Sequence, residues 1–376
     1  MALFKTVLSG VKIRDGHDNF FTPLRLIFAL LVLVGHSFII FKQDAMGEPH
    51  ILHHYTFSYL AVNLFFIASG FLVTKSMLYR KEVSEFAAAR ILRIYPALFI
   101  HVLFVMFIVY PFVGSIPFLS AIKDPQFFTQ PLQVLSFYQS NMMLPGAFEG
   151  QAETIASGAL WTLRYEILAY IGTLVAFKMG LLNARWLIAA QFLAFAWLWP
   201  FAHMTGLYDA IPATGQSILR FGLCYSLGAA IFAYRDKLSF NAIGVLTLLG
   251  ITFLTKDTVL IEVSMAVCLA YFVFWAAYLK LPARFDKYQS MTDISYGVYI
   301  YHWCILQWVY YLDNDISLGH LIGISCVISM ILGLASWHFV EKTALGAKTQ
   351  FAKYLRRGKP SKARIYFVLS TASSKS

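Results

Sequence analysis

The feature that most constrains this chain is a succession of apolar runs separated by short charged segments. A helix needs about 17–25 such residues to cross the hydrocarbon core of a bilayer, and these runs fall in that range. Of the 376 residues, 59% are hydrophobic and 13% are charged. Soluble domains carry roughly 45–50% apolar and about 25% charged residues, so a single soluble core cannot absorb the excess. The runs predict spans at 21–41, 57–78, 91–113, 159–178, 185–203, 217–234, 239–255, 258–279, 293–312 and 318–340. The expected fold is all-α, a polytopic transmembrane bundle of about ten helices with N and C termini cytoplasmic. It divides into a cytoplasmic N-terminal segment (1–20), a transmembrane domain (21–345, with an outer loop at 114–158) and a basic cytoplasmic tail (346–376).

The net charge of +11 raises the question of a nucleic-acid partner. The basic residues are placed as topology signals instead, between the apolar runs. Apart from Lys42, Lys123, Lys256, Arg25, Arg164 and Arg220, every Lys and Arg falls on one set of alternating connections or termini. That asymmetry orients the bundle, places the basic side in the cytoplasm and implies the bacterial inner membrane; it leaves no role for nucleic acid. Membrane lipids are the expected surroundings, and the basic tail is placed to rest on anionic headgroups. Residues 1–20 lack a signal-like apolar core, so the first run reads as a retained span. Cys224, Cys268, Cys304 and Cys326 lie scattered in apolar runs without metal-ligand spacing, and no metal is expected. No internal repeat is evident. The loop at 114–158 reads equally as a lid or as a passive cover.

Ionisable groups inside a bilayer cost several kcal/mol, at least ~2.5–3.5 kcal/mol, so each needs a partner or a task. Here they are Arg25, His36, Arg164, Glu166, Arg220, His302, His338 and Glu341. At 1.5 Å rise per residue, His36, Asn63 and Glu166 are expected at one level in the outer half of the bundle. Arg25 precedes His36 by three turns on nearly the same helix face, about 16 Å nearer the cytoplasm. A cation below and an imidazole above can serve an anionic donor and a hydroxyl acceptor. They can equally be structural, with Glu166 paired to Arg164 or Arg220. Tyr301 and His302 read as packing or hydrogen-bonding groups, Glu341 as the partner of a nearby Arg, and His50, His53 and His54 as a loop cluster.

Read together, the local sequences narrow this choice. Arg25 and His36 bracket Leu-Ile-Phe-Ala-Leu-Leu-Val-Leu-Val-Gly. Val62-Asn63-Leu64-Phe65-Phe66 leads to Ser69-Gly70-Phe71-Leu72, and Arg90-Ile-Leu-Arg93-Ile-Tyr95-Pro96 opens the third span. Leu160-Trp161-Thr162-Leu163-Arg164-Tyr165-Glu166, Ser295-Tyr296-Gly297-Val298-Tyr299-Ile300-Tyr301-His302 and Ser336-Trp337-His338-Phe339-Val340-Glu341-Lys342 follow. In this order they resemble the signatures of the integral-membrane acyltransferase family 3 across nearly the whole chain. Ala159 and Thr343 stand where many members place Ser and Pro.

The resemblance implies O-acyl transfer, usually of acetyl from cytoplasmic acetyl-CoA to a hydroxyl of an extracytoplasmic glycan, cell-surface or lipid-linked, by a form without a fused esterase-like domain. On that reading His36 is the general base and Glu166 its orienting partner. Arg25, Arg90 and Arg93 bind the phosphates of the acyl-CoA. Asn63 or Ser69 stabilises the oxyanion or joins neighbouring helices. Trp161 and Tyr165 stack on a sugar or belong to an interfacial aromatic belt. Arg164 attracts an anionic acceptor or pairs with Glu166. The competing readings are a transporter or flippase for a lipid-linked glycan or acyl donor, and a scaffold in a glycan-assembly complex. The oligomeric state is not legible.

Overall fold

The computed structural model describes residues 10–14, 19–139 and 141–357. The rest of the expected segment 1–20 and of the basic tail lies outside the described residues. The fold is a helical membrane-type bundle, and each of the ten expected spans coincides with a helix. They are α1 (Phe21–Lys42), α2 (Phe57–Arg80), α3 (Val83–Phe104, continued to Val113), α5 (Trp161–Lys178), α6 (Arg185–Met204), α7 (Ala213–Ala233), α8 (Ala242–Leu254), α9 (Ile261–Ala277), α10 (Ser295–Leu312) and α11 (Leu318–Ser336). A further helix in the long loop is α4 (Gln126–Leu135), and α12 (Lys348–Arg357) follows the last span. Val11–Lys12 pairs antiparallel with Ser239–Phe240 as a two-stranded tie.

Six of these helices are long and apolar enough to cross a membrane: α1, α2, α3 with its continuation, α6, α7, and α11 with the turns after it. The others have physical reasons to differ. Helix α10 is buried without a break from Ser295 to Gln307, so protein rather than lipid solvates its tyrosines, histidine and glutamine. Helix α5 carries Arg164 and Glu166 into the bundle. Helices α8 and α9 are apolar but have 13 and 17 residues. At 1.5 Å per residue they are shorter than the ~30 Å core. The peripheral α6, α8 and α11 turn Leu193, Trp197, Leu246, Leu254, Val327 and Ile331 outward, as lipid contact requires.

The centre of the bundle is α1, α2, α7 and α10. Helices α2 and α7 approach very closely because each has a glycine at the crossing. A Cβ on Gly70 would overlap the Tyr225 carbonyl, and one on Gly228 would overlap that of Ile67. Small residues allow such backbone approach where no hydrophobic driving force separates lipid from protein. Two π-helical turns interrupt otherwise regular helices, Val105–Val109 in α3 and Trp337–Glu341 after α11. Extra residues of this kind commonly mark functional positions. The second one turns Glu341 inward, where it is fully buried.

The long connection does not simply lie outside the bundle. Its final stretch enters it, with Ala156, Ser157, Ala159 and Leu160 all buried. Trp303 Nε1 donates to the Ile155 carbonyl at 2.9 Å, and Gln307 donates to the carbonyl of Glu153. Helix α5 therefore starts within the bundle rather than at its surface, and this shifts every residue on it toward the basic end.

Candidate active site

A cavity of about 330 Å³ opens among α1, α2, α3, α5 and α10. Arg25, Arg80, Arg90, Arg93 and Lys348 line it, against the carboxylates of Glu166 and Asp293. Most of these cations sit at helix ends near the basic termini, because the charge asymmetry that orients each span also collects guanidinium groups at one end of the bundle.

The arginines are held in different ways. Asp293, just before α10, accepts from Arg25 Nη1 at 2.5 Å and from Arg93 Nη2 at 2.8 Å, both through Oδ2. Its Oδ1 accepts from the amide and hydroxyl of Ser295 at 3.2 and 2.6 Å. Arg93 Nη1 also donates to Glu341 Oε2 at 3.1 Å, and Ser336 Oγ donates to Glu341 Oε1 at 3.0 Å. Glu341 thus pairs with an arginine, as expected. Arg90 is held mainly by rings, with its guanidinium 5.4 Å from the Tyr170 centroid and 5.8 Å from that of Phe86. Its Nε is buried without a hydrogen-bond partner among the described residues. Arg90 therefore keeps donor capacity for an anion.

Neither His36 nor His302 lines the cavity; they lie behind its Tyr299 wall. His36 Nδ1 is 2.8 Å from His302 Nε2, the rings are stacked at 22°, and Trp303 presents an edge to His36 at 4.9 Å between centroids. His302 Nδ1 lies 2.6 Å from the Tyr299 carbonyl. Tyr299 also lines the cavity, where its hydroxyl meets Thr162 Oγ1 at 2.6 Å and the Ala159 carbonyl at 3.1 Å. One residue thus connects the cavity wall to the imidazole pair.

This arrangement corrects two expectations for His36. Its hydrogen-bond partner is His302, which the sequence read as a packing or hydrogen-bonding group, rather than Glu166. Glu166 instead accepts a hydrogen bond from Tyr170 and faces the cavity. The two are also not at one depth. Thr162 and Tyr299 meet at one level; Glu166 is four residues from Thr162 toward the basic end, while His302 is three residues from Tyr299 in the opposite direction. The offset is about 10 Å along the bundle. It arises because α5 begins inside the bundle, not at the outer surface where the sequence placed its start.

Ser69 lines the cavity. Asn63 faces another direction, donating to Glu262 Oε1 at 3.3 Å and accepting from Arg220 Nε at 2.8 Å. Glu262 is fully buried and also accepts from Tyr55 at 2.9 Å, with His54 at 3.4 Å. Arg220 further stacks on Tyr59, 3.1 Å from its centroid. Asn63 is thus part of a polar tie between α2, α7 and α9, and Arg220 belongs to it rather than to Glu166. Trp161 and Tyr165 pack on each other and on Phe221. Arg164 donates to the carbonyls of Phe137 and Tyr138 at 2.9 and 2.7 Å, which fastens the long connection.

Asp293 and Glu262 were not singled out by sequence. Glu262 stands alone among apolar residues and was legible by the cost of burying a charge. Asp293 sits at a span edge, where a carboxylate attracts no notice. His101 was missed inside α3; it is fully buried, with Nε2 2.9 Å from Ser157 Oγ of the long connection.

The fold and this site define a helical membrane protein with a cation-lined internal cavity beside a buried imidazole pair. Residues 19–338 match a family described as an acyltransferase domain, and the chain belongs to that acyltransferase-3 family. It is 26% identical to an O-acetyl transferase of Shigella phage Sf6 over 338 residues, covering 87% of this chain and 96% of the relative. It is also 26% identical to nodulation protein 10 of Rhizobium leguminosarum bv. viciae over 361 residues, covering 89% and 95%. No solved structure matches it significantly. The chain is an O-acyltransferase.

Proposed function

We propose that the protein moves acetyl from acetyl-CoA, bound from the cytoplasmic side of the bacterial inner membrane, to a hydroxyl of a cell-surface or lipid-linked glycan. The observation that carries this reading is that a single residue, Tyr299, joins a cavity rich in arginine to the buried His36–His302 pair. Five basic side chains against two carboxylates suit a polyanionic donor better than a neutral one. The name of the phage relative favours acetyl as the group moved.

On this reading Arg25, Arg90 and Arg93 bind the phosphates of CoA, with Arg80 and Lys348 at the entrance. The pantetheine arm runs along α1 toward His36, a rise of about 16 Å from Arg25. Ser69 and Glu166 contact the arm within the cavity. His36 accepts the proton of the acceptor hydroxyl as its oxygen attacks the thioester carbonyl. The carbon–sulfur bond then breaks, and the CoA thiolate takes that proton from His36. The Tyr299–Thr162 contact at the cavity end must yield to admit the thioester.

The test is transfer of labelled acetyl from acetyl-CoA to polysaccharide by the purified protein in detergent. His36→Ala should lower turnover at least about 100-fold while the protein stays folded. Passage of an intact substrate without bond formation would identify a transporter and overturn the reading.

A further inference from the structure

The hydrogen bonds around His302 determine which nitrogen of His36 is basic. A backbone carbonyl can only accept, so at 2.6 Å from the Tyr299 oxygen His302 Nδ1 must carry a hydrogen. A neutral imidazole has one N–H, which leaves His302 Nε2 with a lone pair. That lone pair faces His36 Nδ1 at 2.8 Å, so His36 Nδ1 must be the donor. The remaining nitrogen of His36, Nε2, then holds the free lone pair. The opposite tautomer pair would set the lone pair of His302 Nδ1 against a carbonyl lone pair, which is repulsive at this separation.

We propose that His302 is a positioning residue that locks His36 in its Nδ1–H tautomer and so presents Nε2 as the proton acceptor. The assignment rests on His36 acting as the base, as set out above. His302 is suited to the task because it is anchored by a carbonyl of its own helix, one turn back, and is completely buried in α10. Trp303 edges onto the His36 ring and limits its rotation. A carboxylate in the same place would orient the ring too, but would add a charge where burial is costly. A neutral imidazole orients without that cost. When His36 takes up the acceptor proton at Nε2, its Nδ1–H becomes part of an imidazolium, and the hydrogen bond to His302 becomes charge-assisted and stronger. His302 therefore helps most when the proton is being transferred.

The test combines a readout that needs no turnover with one that does. The full-length protein, labelled with 15N-histidine in lipid nanodiscs, is examined by NMR, with His36 assigned from the signals missing in His36→Gln. The expected result is a protonated Nδ1 and an unprotonated Nε2 on His36. His302→Leu should leave a mixture of tautomers and lower kcat at least about 10-fold, with KM for acetyl-CoA within about 2-fold. His302→Gln, whose side-chain carbonyl can accept from His36 Nδ1, should recover most of both. An unprotonated Nδ1 in the wild-type protein overturns the proposal, and so does a folded His302→Leu protein with normal kcat. Because the tautomer is read without substrate, its outcome is separable from whether acetyl-CoA is the donor.

Discussion

Arg25 and Asp293 lie 268 positions apart in the chain and meet at 2.5 Å, joining the first span to the start of α10. Asp293 also holds Arg93, so one carboxylate organises two of the cations that face the cavity. Replacing it leaves both guanidinium groups close together in a partly buried site without their shared carboxylate. Asp293→Asn should lower stability by about 1–3 kcal/mol, less than the loss of a partner from a fully buried ion pair because the cluster is partly exposed. Thermal unfolding in detergent measures it, and an unchanged transition would show that the pairing is not structural.

Arg90 differs from those two in having, among the described residues, no carboxylate partner and no partner for its Nε. Its substitution should therefore affect donor binding more than folding. Arg90→Gln is expected to raise KM for acetyl-CoA about 10-fold with little change in kcat, the pattern of lost uniform binding. Lys348→Ala should do the same more weakly and with stronger relief by salt, since Lys348 is at the more exposed end. Steady-state kinetics at two ionic strengths separate the effects.

Glu166 contacts Tyr170 and the cavity, not His36. Glu166→Gln should accordingly raise KM for the donor and leave kcat within about 3-fold. A loss of kcat comparable to that of His36→Ala would mean that Glu166 reaches the imidazole during turnover.

The α2–α7 crossing has no room for a side chain at Gly70, because the obstacle is the Tyr225 backbone rather than a flexible side-chain end. Gly70→Ala should separate the helices and cost about 1–3 kcal/mol, as overpacking does. The melting temperature in detergent reports it, and full retention would show that the crossing can yield.

Hydrophobic run lengths and the one-sided placement of Lys and Arg were enough to determine a helical membrane bundle, and the ten expected spans all found helices. Local motifs were enough to determine the family. These signals are written within one segment at a time, since each helix must meet lipid, water or its own backbone hydrogen bonds on its own terms. Only the tertiary structure decided that His302 rather than Glu166 partners His36, that Asn63 serves Glu262 and Arg220, and that Asp293 gathers two arginines. Those pairings depend on the relative depth and rotation of separate helices. A single displaced start, at α5, moved Glu166 about two turns from the level that counting residues had assigned to it.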